Sequence, residues 1–333
     1  MSELYPLKFE TVLKKKVWGG SALATRYNKK PAGTEGIGES WELSAVAGNL
    51  SVISNGFLAG NNIEEITEVY MGDITGDSIY EKFGNEFPLL IKFIEARQDL
   101  SIQVHPGNEL ARERHNAYGK TEMWYILESE KGSRIYTGFK DVVTKEMYTT
   151  ALANGKLADL LNIENVEAGD TFFTPAGRVH AIGAGTVLVE IQQTSDITYR
   201  IFDWNRKNTG REKRELHTDL ALDAIDFTAA GKSKIRKDPE LNKTVNLVNC
   251  EFFNTNILRF NNTINKEYYM NDSFVVYICI EGEFSIRWDA SSEKVIKGET
   301  VLLPAMIKEV RLEPLDEALL LEIFVNSENN LLP

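Results

Sequence analysis

One short segment, Ser101 to Pro106, combines residue types that bind divalent metal ions. Successive side chains of a β-strand point to opposite faces, so Ser101, Gln103 and His105 are predicted to share one face, with the apolar residues between them on the other. The polar face suits the mouth of a barrel, and the apolar face suits packing. An imidazole beside an oxygen ligand on one face is an arrangement that binds zinc.

Two further residues can complete this site. Glu122 begins the strand-like run Glu122 to Leu127 and supplies a carboxylate, and His180 follows a Pro-Ala-Gly turn and supplies a second imidazole. With the amide oxygen of Gln103 as a fourth ligand, a position remains for water or substrate. A single histidine in a strand is more often structural, so the prediction depends on the combination. The set, which lacks a thiolate, suits zinc but also accepts manganese, iron or cobalt.

The remaining histidines and the two cysteines show no such pattern. His115 and His217 lie in charged stretches and are predicted to be solvated surface residues. Cys250 and Cys279 lack the spacing of a metal or redox motif, and Cys279 is predicted to be a small buried hydrophobe. Such low cysteine usage indicates a reducing compartment.

The elements that must position these residues are predominantly strands. Short runs rich in Val, Ile, Phe and Tyr, bounded by turn residues, predict strands at Pro88–Ile94, Met123–Leu127, Thr171–Pro175, Val187–Gln192, Phe274–Ile280, Val301–Pro304 and Ala318–Val325. Apolar periodicity or early acidic residues predict helices at Ile63–Met71, Lys145–Leu161 and Glu212–Ile225. The predicted fold class is mainly β with a few added α-helices.

An internal repeat indicates two similar β units. Residues 169–176, Gly-Asp-Thr-Phe-Phe-Thr-Pro-Ala, recur as residues 298–305, Gly-Glu-Thr-Val-Leu-Leu-Pro-Ala, and each copy precedes a strand that ends in Glu-Ile, at Glu190 and Glu322. Followed by a histidine, the first copy resembles the second motif of the cupin jelly roll, a barrel whose strands point ligands into its mouth. The second copy has Glu309 where the first has His180.

The repeat therefore predicts two cupin-like jelly-roll β-barrels. Residues 1–235 are expected to form a catalytic, metal-binding cupin domain with helical insertions. Residues 236–333 are expected to form a second, metal-free cupin-like domain. The polar, lysine-rich stretch 229–242 is the predicted linker.

The formal net charge of -12 restricts the partners. Nucleic acids and anionic membranes need a basic face, so neither is expected to bind. An anionic substrate would need a locally positive site. The first 17 residues lack the apolar segment of a signal peptide, and no run approaches the ~18 apolar residues of a membrane span. A cytoplasmic location is expected, with the chain a monomer or weak homodimer.

Taken together in order, several motifs resemble type I mannose-6-phosphate isomerases, also called phosphomannose isomerases, in their short bacterial form. The matching segments lie between Pro6 and about Phe324 and are residues 17–20, 38–42, 87–92, 101–106, 119–122, 175–180, 190–193, 198–200 and 203–206. The resemblance implies a zinc-dependent aldose–ketose isomerase acting on a sugar phosphate, D-mannose 6-phosphate or D-fructose 6-phosphate. It implies one Zn²⁺ per chain, bound by Gln103, His105, Glu122 and His180. It also places Ser101, Lys92, Lys120, Glu190 and Arg200 in the active site.

Such an isomerisation moves a proton between C1 and C2 through an enediolate, so it needs a base and a nearby cation. Glu190 is the leading candidate base, with a metal-bound water as the alternative. Glu322 holds the equivalent place in the metal-free repeat, so a structural role is the competing interpretation for Glu190. Lys120 is predicted to share a face with Glu122, and Arg200 offers a planar guanidinium for phosphate or enediolate charge.

Four further residues are predicted to bind the substrate: Lys92, Ser101, Arg206 and Trp18. Lys92 interrupts an apolar strand and therefore needs an anion, which could be phosphate, Glu42 or Glu190. The serine can donate to phosphate, and Lys207 could replace Arg206 as the basic residue. The tryptophan could equally pack in the core.

Two other functions compete with the isomerase. A metal cupin of oxygen chemistry, or one for another sugar phosphate, usually has three histidines, whereas the ligands here include a glutamine and a glutamate. A sugar-sensing cupin with a degenerate site is disfavoured by the presence of Lys120, Glu190 and Arg200.

Overall fold

The structure is a computed structural model that describes residues 4–29, 35–204, 206 and 214–326. Within these ranges the chain is mainly β, which confirms the predicted fold class. The strands are β1 Leu7–Lys8, β2 Val12–Gly20, β3 Ile37–Leu43, β4 Leu89–Ala96, β5 Ile102–Val104, β6 Glu122–Ser129, β7 Arg134–Phe139, β8 Leu161–Asn165, β9 Thr171–Thr174, β10 His180–Ile182, β11 Thr186–Gln193, β12 Tyr199–Phe202, β13 Lys234–Ile235, β14 Lys243–Asn249, β15 Asn254–Phe260, β16 Ile264–Glu267, β17 Val275–Glu281, β18 Glu283–Trp288, β19 Ser291–Ile296, β20 Thr300–Leu303, β21 Glu309–Pro314 and β22 Ala318–Phe324. The helices are α1 Ala22–Arg26, α2 Ile63–Tyr70, α3 Gly72–Thr75, α4 Asp77–Phe83, α5 Asn108–His115, α6 Lys145–Ala153 and α7 Thr218–Ala224, with a 3₁₀ helix at Leu157–Leu160.

These strands form four sheets that pack in two pairs. The first barrel comprises a seven-stranded sheet, β13-β9-β6-β11-β4-β3-β2, and a five-stranded sheet, β12-β5-β10-β7-β8. The second barrel comprises a six-stranded sheet, β1-β20-β17-β22-β15-β14, and a four-stranded sheet, β16-β21-β18-β19. The two-sheet arrangement of each half agrees with the expected jelly rolls.

The internal repeat is confirmed by strand order. The run β9-β6-β11-β4 of the first barrel corresponds to β20-β17-β22-β15 of the second. Glu190 lies opposite Lys92 on one neighbouring strand and opposite Trp124 on the other. Glu322 lies opposite Asn256 and Tyr277 in the same way. The two glutamates therefore occupy equivalent places.

Alternating side chains give each large sheet two different faces. On one face, residues of the seven-stranded sheet such as Ile91 and Val189 share a single buried cluster with Ile278 and Leu321 of the six-stranded sheet. The two barrels thus pack back to back through one continuous apolar core. The opposite face of the seven-stranded sheet points into the first barrel, where Trp124 packs in a separate buried cluster with residues such as Ile94 and Leu188.

The predicted domain boundary at residues 235/236 is crossed by β1. Leu7 pairs with Leu302, so the first strand of the chain is an edge strand of the second barrel. The α3 segment also contacts that barrel, because the backbone N–H of Ala305 donates to the carbonyl of Ile74 at 2.9 Å. Within the predicted linker, β13 pairs with β9 and completes an edge of the first barrel.

Two predicted helices differ from the observed ones. The helix predicted at Lys145–Leu161 ends at Ala153, because Gly155 adopts a left-handed φ of 66°, and Leu161 already begins β8. The helix predicted at Glu212–Ile225 is observed as α7, while residues 212 and 213 lie outside the described ranges. Helix α5 was not predicted, because its sequence is mostly charged.

Candidate metal centre and substrate cavity

Three buried side chains converge inside the first barrel. His105 directly follows β5, Glu122 begins β6 and His180 begins β10. The strand pairing of His180 with Gln103, two residues before His105, brings these distant segments together. One ligand atom from each of His105, Glu122 and His180 lies within 4.8 Å of the others, and all three residues are buried. The sequence-predicted residues therefore do meet.

Hydrogen bonds to backbone carbonyls fix the tautomer of both histidines. His105 Nδ1 donates to the carbonyl oxygen of Ile197 at 2.8 Å, and His180 Nδ1 donates to that of Arg178 at 2.9 Å. A carbonyl oxygen can only accept, so the proton of each neutral ring is on Nδ1 and the lone pair is on Nε2. Burial lowers the pKa of His105 well below 6.5 and lowers that of His180 to about 4. Both rings are therefore neutral at pH 7.

The Nε2 atoms of both histidines face the carboxyl group of Glu122, whose pKa is raised to about 8 by burial. His180 Nε2 lies 3.1 Å from Glu122 Oε1, and His105 Nε2 lies 3.6 Å from Glu122 Oε2. Within the described part of the chain, His105 Nε2 and both oxygens of Glu122 are buried without a hydrogen-bond partner of good geometry. Acceptors that face each other in a buried site are stabilised by a cation between them. The donor set thus fits a divalent metal ion.

Gln103 reaches the same cluster. Its Nε2 lies 3.2 Å from His180 Nε2, and the residue is half-buried at the wall of the cavity described below. Gln103 therefore reaches the cluster as predicted, but with its amide nitrogen toward His180 rather than with the amide oxygen that was predicted as the fourth ligand. Ile102 and Val104 pack on the opposite side with α6 and α7, as the strand alternation predicted.

A cavity of about 310 Å³ adjoins the cluster. The described residues that line it are Lys16, Trp18, Glu39, Lys92, Ile94, Leu100, Ser101, Gln103, Lys120, Ile182, Glu190, Asp196, Thr198, Arg200 and Arg214. Five of these side chains are cations and three are carboxylates. In a chain with a net charge of -12, such a cavity is a local positive site suited to an anionic ligand.

Two lysines and a glutamate form a charged network in the wall of this cavity. Lys92 Nζ lies 3.0 Å from Glu190 Oε1, and Lys120 Nζ lies 3.9 Å from the same oxygen and 3.2 Å from Glu122 Oε2. Trp124 Nε1 donates to Glu190 Oε2 at 2.9 Å. Burial alone would raise the pKa of Glu190, but Lys120 and Lys92 outweigh it and lower the pKa. Glu190 is therefore ionised, and its anion is the partner of Lys92 that the sequence left open.

Arg200 stands at the opposite side of the cavity on β12. Its Nε donates to Ser101 Oγ at 3.3 Å, and one terminal nitrogen donates to the carbonyl of Glu215 at 2.9 Å. His217 Nδ1 accepts from the backbone N–H of Arg200 at 3.2 Å. His217 was predicted to be a solvated surface residue; it is instead half-buried and holds the backbone of β12. His115 is exposed as predicted, although its Nε2 contacts the hydroxyl of Tyr199 at 2.8 Å.

Comparison with known proteins decides the family. Residues 6–144 match the family model of the phosphomannose isomerase type I catalytic domain, and residues 243–316 match that of the mannose-6-phosphate isomerase cupin domain. The mannose-6-phosphate isomerase ManA of Bacillus subtilis is 34% identical over 314 residues, covering 92% of this chain and 96% of that protein. This chain belongs to the type I phosphomannose isomerases. As a member of that family, it is an isomerase.

Solved structures of the family agree with the fold. The mannose 6-phosphate isomerase from Bacillus subtilis superposes with a TM-score of 0.83 at 27% identity, covering 96% of this chain and 99% of that one. A putative mannosephosphate isomerase from Archaeoglobus fulgidus gives a TM-score of 0.77 at 22% identity, covering 97% of this chain and 99% of that one, which supports the fold alone. Among the described residues, none of the helices is long and apolar enough to cross a membrane.

Not every predicted substrate residue of this phosphomannose isomerase lies at the cavity. Trp18 is buried and lines it, but Arg206 is outside the lining: its guanidinium contacts the backbone carbonyl of Asp99 and lies 3.8 Å from Asp203. Arg214 lines the cavity instead. The alternative residue Lys207 lies outside the described ranges.

Sequence reasoning missed four charged residues of the cavity: Lys16, Glu39, Asp196 and Arg214. Glu39 could have been predicted from the sequence, because it lies in segment 38–42, which resembles the family. Lys16 and Arg214 gave no signal, since each lies in a charged stretch that is typical of a solvated surface.

Proposed function

We propose that this chain is a zinc-dependent isomerase that interconverts D-mannose 6-phosphate and D-fructose 6-phosphate. One observation carries the proposal: buried ligand atoms of His105, Glu122 and His180 meet beside a positively charged cavity. The substrate is taken from relatives named mannose-6-phosphate isomerase, and the charge of the cavity lining supports it. We assign catalysis to residues 1–235 and regard residues 236–333 as a metal-free cupin-like unit.

One Zn²⁺ would be held by Gln103, His105, Glu122 and His180. Two neutral imidazoles, one carboxylate and one amide leave the ion a net charge of about +1. When bound, the ion supplies positive charge for the substrate oxygens on which negative charge develops, worth several kcal/mol. A second carboxylate ligand would cancel that charge, which is why a neutral Gln103 suits this chemistry.

The proton transfer falls to groups on the wall of the cavity. The reaction moves a proton between C1 and C2 through an enediolate, and a positioned base typically contributes ~10²–10⁴-fold. We assign that base to Glu190, which is ionised and can accept a proton, although Lys120 and Lys92 lower its pKa and so make it a weaker base. Lys120, which lies 3.9 Å from Glu190, can donate to O1 or O2 as they gain negative charge.

The phosphate group is assigned to the side of the cavity that carries Arg200, Arg214 and Ser101. A planar guanidinium binds two phosphate oxygens at once, and Ser101 already contacts Arg200. Lys92 is occupied by Glu190 and by Gln192 Oε1 at 2.8 Å, so we assign it a supporting role beside the sugar.

Metal removal combined with one matched pair of histidine variants tests the function. Purified protein is expected to contain about one zinc per chain and to convert mannose 6-phosphate in a coupled assay. Chelation should abolish turnover, and added Zn²⁺ should restore it. His180→Asn should lose both metal and activity, whereas His115→Asn, which removes an exposed imidazole, should retain both.

Full activity in metal-free protein would contradict zinc dependence. Bound zinc without conversion of mannose 6-phosphate would support the metal site but exclude this substrate. The monomeric or weakly dimeric state stays a prediction, which light scattering on a sizing column can check.

A further inference from the structure

The second barrel contains a larger cavity than the first. Its volume is about 610 Å³, against about 310 Å³ for the substrate cavity. It opens between β15, β16 and β22 and the loop that follows β16. A barrel that served only as packing would fill this space, as its other end is filled by Val275, Phe284 and Leu320.

At the base of this cavity, Glu322 occupies the place that Glu190 has in the first barrel. Glu322 is buried, and Lys266 Nζ lies 2.9 Å from its Oε1. Asn256 Nδ2 donates to Oε2 at 2.9 Å, and the hydroxyl of Tyr268 donates to Oε1 at 2.6 Å. Burying a carboxylate such as that of Glu322 costs free energy unless its oxygens are fully hydrogen-bonded, and an apolar side chain would pack here without that cost. All four of these residues line the cavity, so a ligand in it would meet this polar cluster.

The charges of the lining differ from those of the substrate cavity. Lys266 is the one cationic side chain among the described residues of this lining, and it is ion-paired with Glu322. Glu267 adds a second carboxylate. A phosphate would therefore meet net negative charge here. The remaining polar groups are amides and phenols, which exchange hydrogen bonds with uncharged hydroxyl groups.

Two further features point to a hydroxyl-rich ligand. Asn271 lines the cavity, and its Nδ2 is buried without a hydrogen-bond partner among the described residues. At the rim, the Tyr269 side chain is 63% exposed, yet its hydroxyl is held by Glu309 Oε1 at 2.5 Å. A fixed, exposed aromatic face beside convergent polar groups is suited to the apolar face of a sugar ring.

We propose that the mouth of the second barrel binds a neutral, polyhydroxylated ligand of about hexose size. The ring of Tyr269 contacts the apolar face of the ligand. The hydroxyl groups of the ligand form hydrogen bonds with Asn271, Asn256 and the Lys266–Glu322 pair. This site is separate from the metal centre and does not depend on the proposed isomerase reaction. Glu309, which stands where the first repeat has a metal ligand, positions the ring.

Saturation-transfer NMR on the full chain tests the site. The probes are methyl α-D-mannopyranoside, methyl α-D-glucopyranoside and sorbitol, none of which carries a phosphate or a free aldehyde. We expect at least one of them to bind, and its affinity to fall at least ~5-fold in Tyr269→Ala and in Asn271→Ala. Neither variant should change isomerase turnover.

Two controls separate this site from the rest of the surface. Leu315→Ala removes another exposed apolar side chain of the second barrel that does not line the cavity, and it should leave binding unchanged. Ser101→Ala alters the substrate cavity and should also leave binding unchanged. The proposal is overturned if no probe binds at 50 mM or roughly that level, or if binding is lost in Ser101→Ala and kept in Tyr269→Ala.

Discussion

At the scale of single residues, the metal site is determined by which nitrogen of each imidazole is protonated. Two backbone carbonyls, those of Ile197 and Arg178, hold the Nδ1 protons and so direct both Nε2 lone pairs toward Glu122. The sequence could place His105, Glu122 and His180 on inward faces from strand alternation. It could not reveal the carbonyl partners, because every residue has a backbone carbonyl and its direction leaves no mark in the sequence.

The role of Glu190 is the sharpest test at this scale. Glu190→Gln keeps the shape and the hydrogen bond from Trp124 but removes the anion. We expect turnover to fall at least ~100-fold while zinc is retained, as measured by a coupled assay and metal analysis. Glu215→Gln, on an exposed side chain near Arg200, is the matched control and should be neutral.

Near-normal turnover in Glu190→Gln would remove this residue as the base. A smaller loss with a raised KM would instead indicate that Glu190 acts by holding Lys92 and Lys120. The sequence left the partner of Lys92 open between Glu42 and Glu190, and the structure pairs Glu42 with Lys29 at 2.7 Å.

At the scale of elements, Gly38 of β3 allows side chains of β2 to pack closely against the backbone of β3. A Cβ on Gly38 would lie 2.5 Å from the Trp18 ring and 2.6 Å from Lys16 Cγ, and both of these residues line the substrate cavity. Gly38→Ala must therefore displace at least one of them. We expect KM for mannose 6-phosphate to rise several-fold, with a loss of roughly 1–3 kcal/mol of stability from overpacking.

Gly107→Ala provides the control for this steric argument. A Cβ at Gly107 would have no atom within 4 Å, and the residue is not in the left-handed region. The Gly107→Ala substitution should leave KM and the melting temperature nearly unchanged. Unchanged kinetics in Gly38→Ala would show that Trp18 and Lys16 do not bind substrate.

The turn before β9 gives a pH-dependent prediction. Asp170 is buried, with Lys234 at 2.6 Å and Arg236 at 2.9 Å. Burial alone would raise the pKa of Asp170, but hydrogen bonds from these two residues and from the backbone N–H of Glu167 lower it below 3.8. A carboxyl group whose pKa is lower in the folded than in the unfolded state stabilises the fold at pH values above its unfolded-state pKa. This stabilisation is lost as the pH falls through the folded-state pKa.

Asp170→Asn is therefore expected to destabilise the protein by about 1–3 kcal/mol at pH 7, measured by urea unfolding. The difference in the free energy of unfolding between this variant and the unsubstituted chain should become smaller below about pH 4. Asp238→Asn, on an exposed carboxylate near Arg236, should have little effect at either pH. A difference that stayed constant with pH would contradict an ionised Asp170 as the source.

The elements also show what the sequence could predict. The strands β4, β11 and β22 were placed within two residues of their observed bounds, because each is a long apolar run with turn residues at its ends. Helix α5 was missed because its residues are mostly charged and give no apolar stripe. The short helices α3 and α4 were missed because they depend on contacts with the second barrel rather than on periodicity.

At the scale of the whole molecule, the shared core couples the two barrels. Ile278 is fully buried in that core, although it lies in the second barrel. Ile278→Ala should cost about 2–5 kcal/mol of stability. Heat inactivation and the loss of tertiary structure should shift together to lower temperature, as followed by activity and near-ultraviolet circular dichroism.

Val69→Ala is a suitable control, because this valine is exposed. Loss of second-barrel structure while activity persisted would show that the barrels unfold independently. The sequence predicted two barrels but not their back-to-back packing, since inward and outward faces of β4, β11 and β17 are both apolar. Nor could it predict that β1 crosses to the second barrel, because two residues carry no pairing signal.

That crossing strand has a consequence for synthesis of the protein. Leu7 leaves the ribosome early, but its partner Leu302 is among the later residues to emerge. Until then, the nascent first barrel carries a bare apolar sheet surface that β14, β15, β17, β20 and β22 will cover. Contacts so distant in the chain form slowly, and an uncovered sheet attracts other chains. We expect stalled or truncated chains to aggregate unless a chaperone shields that surface.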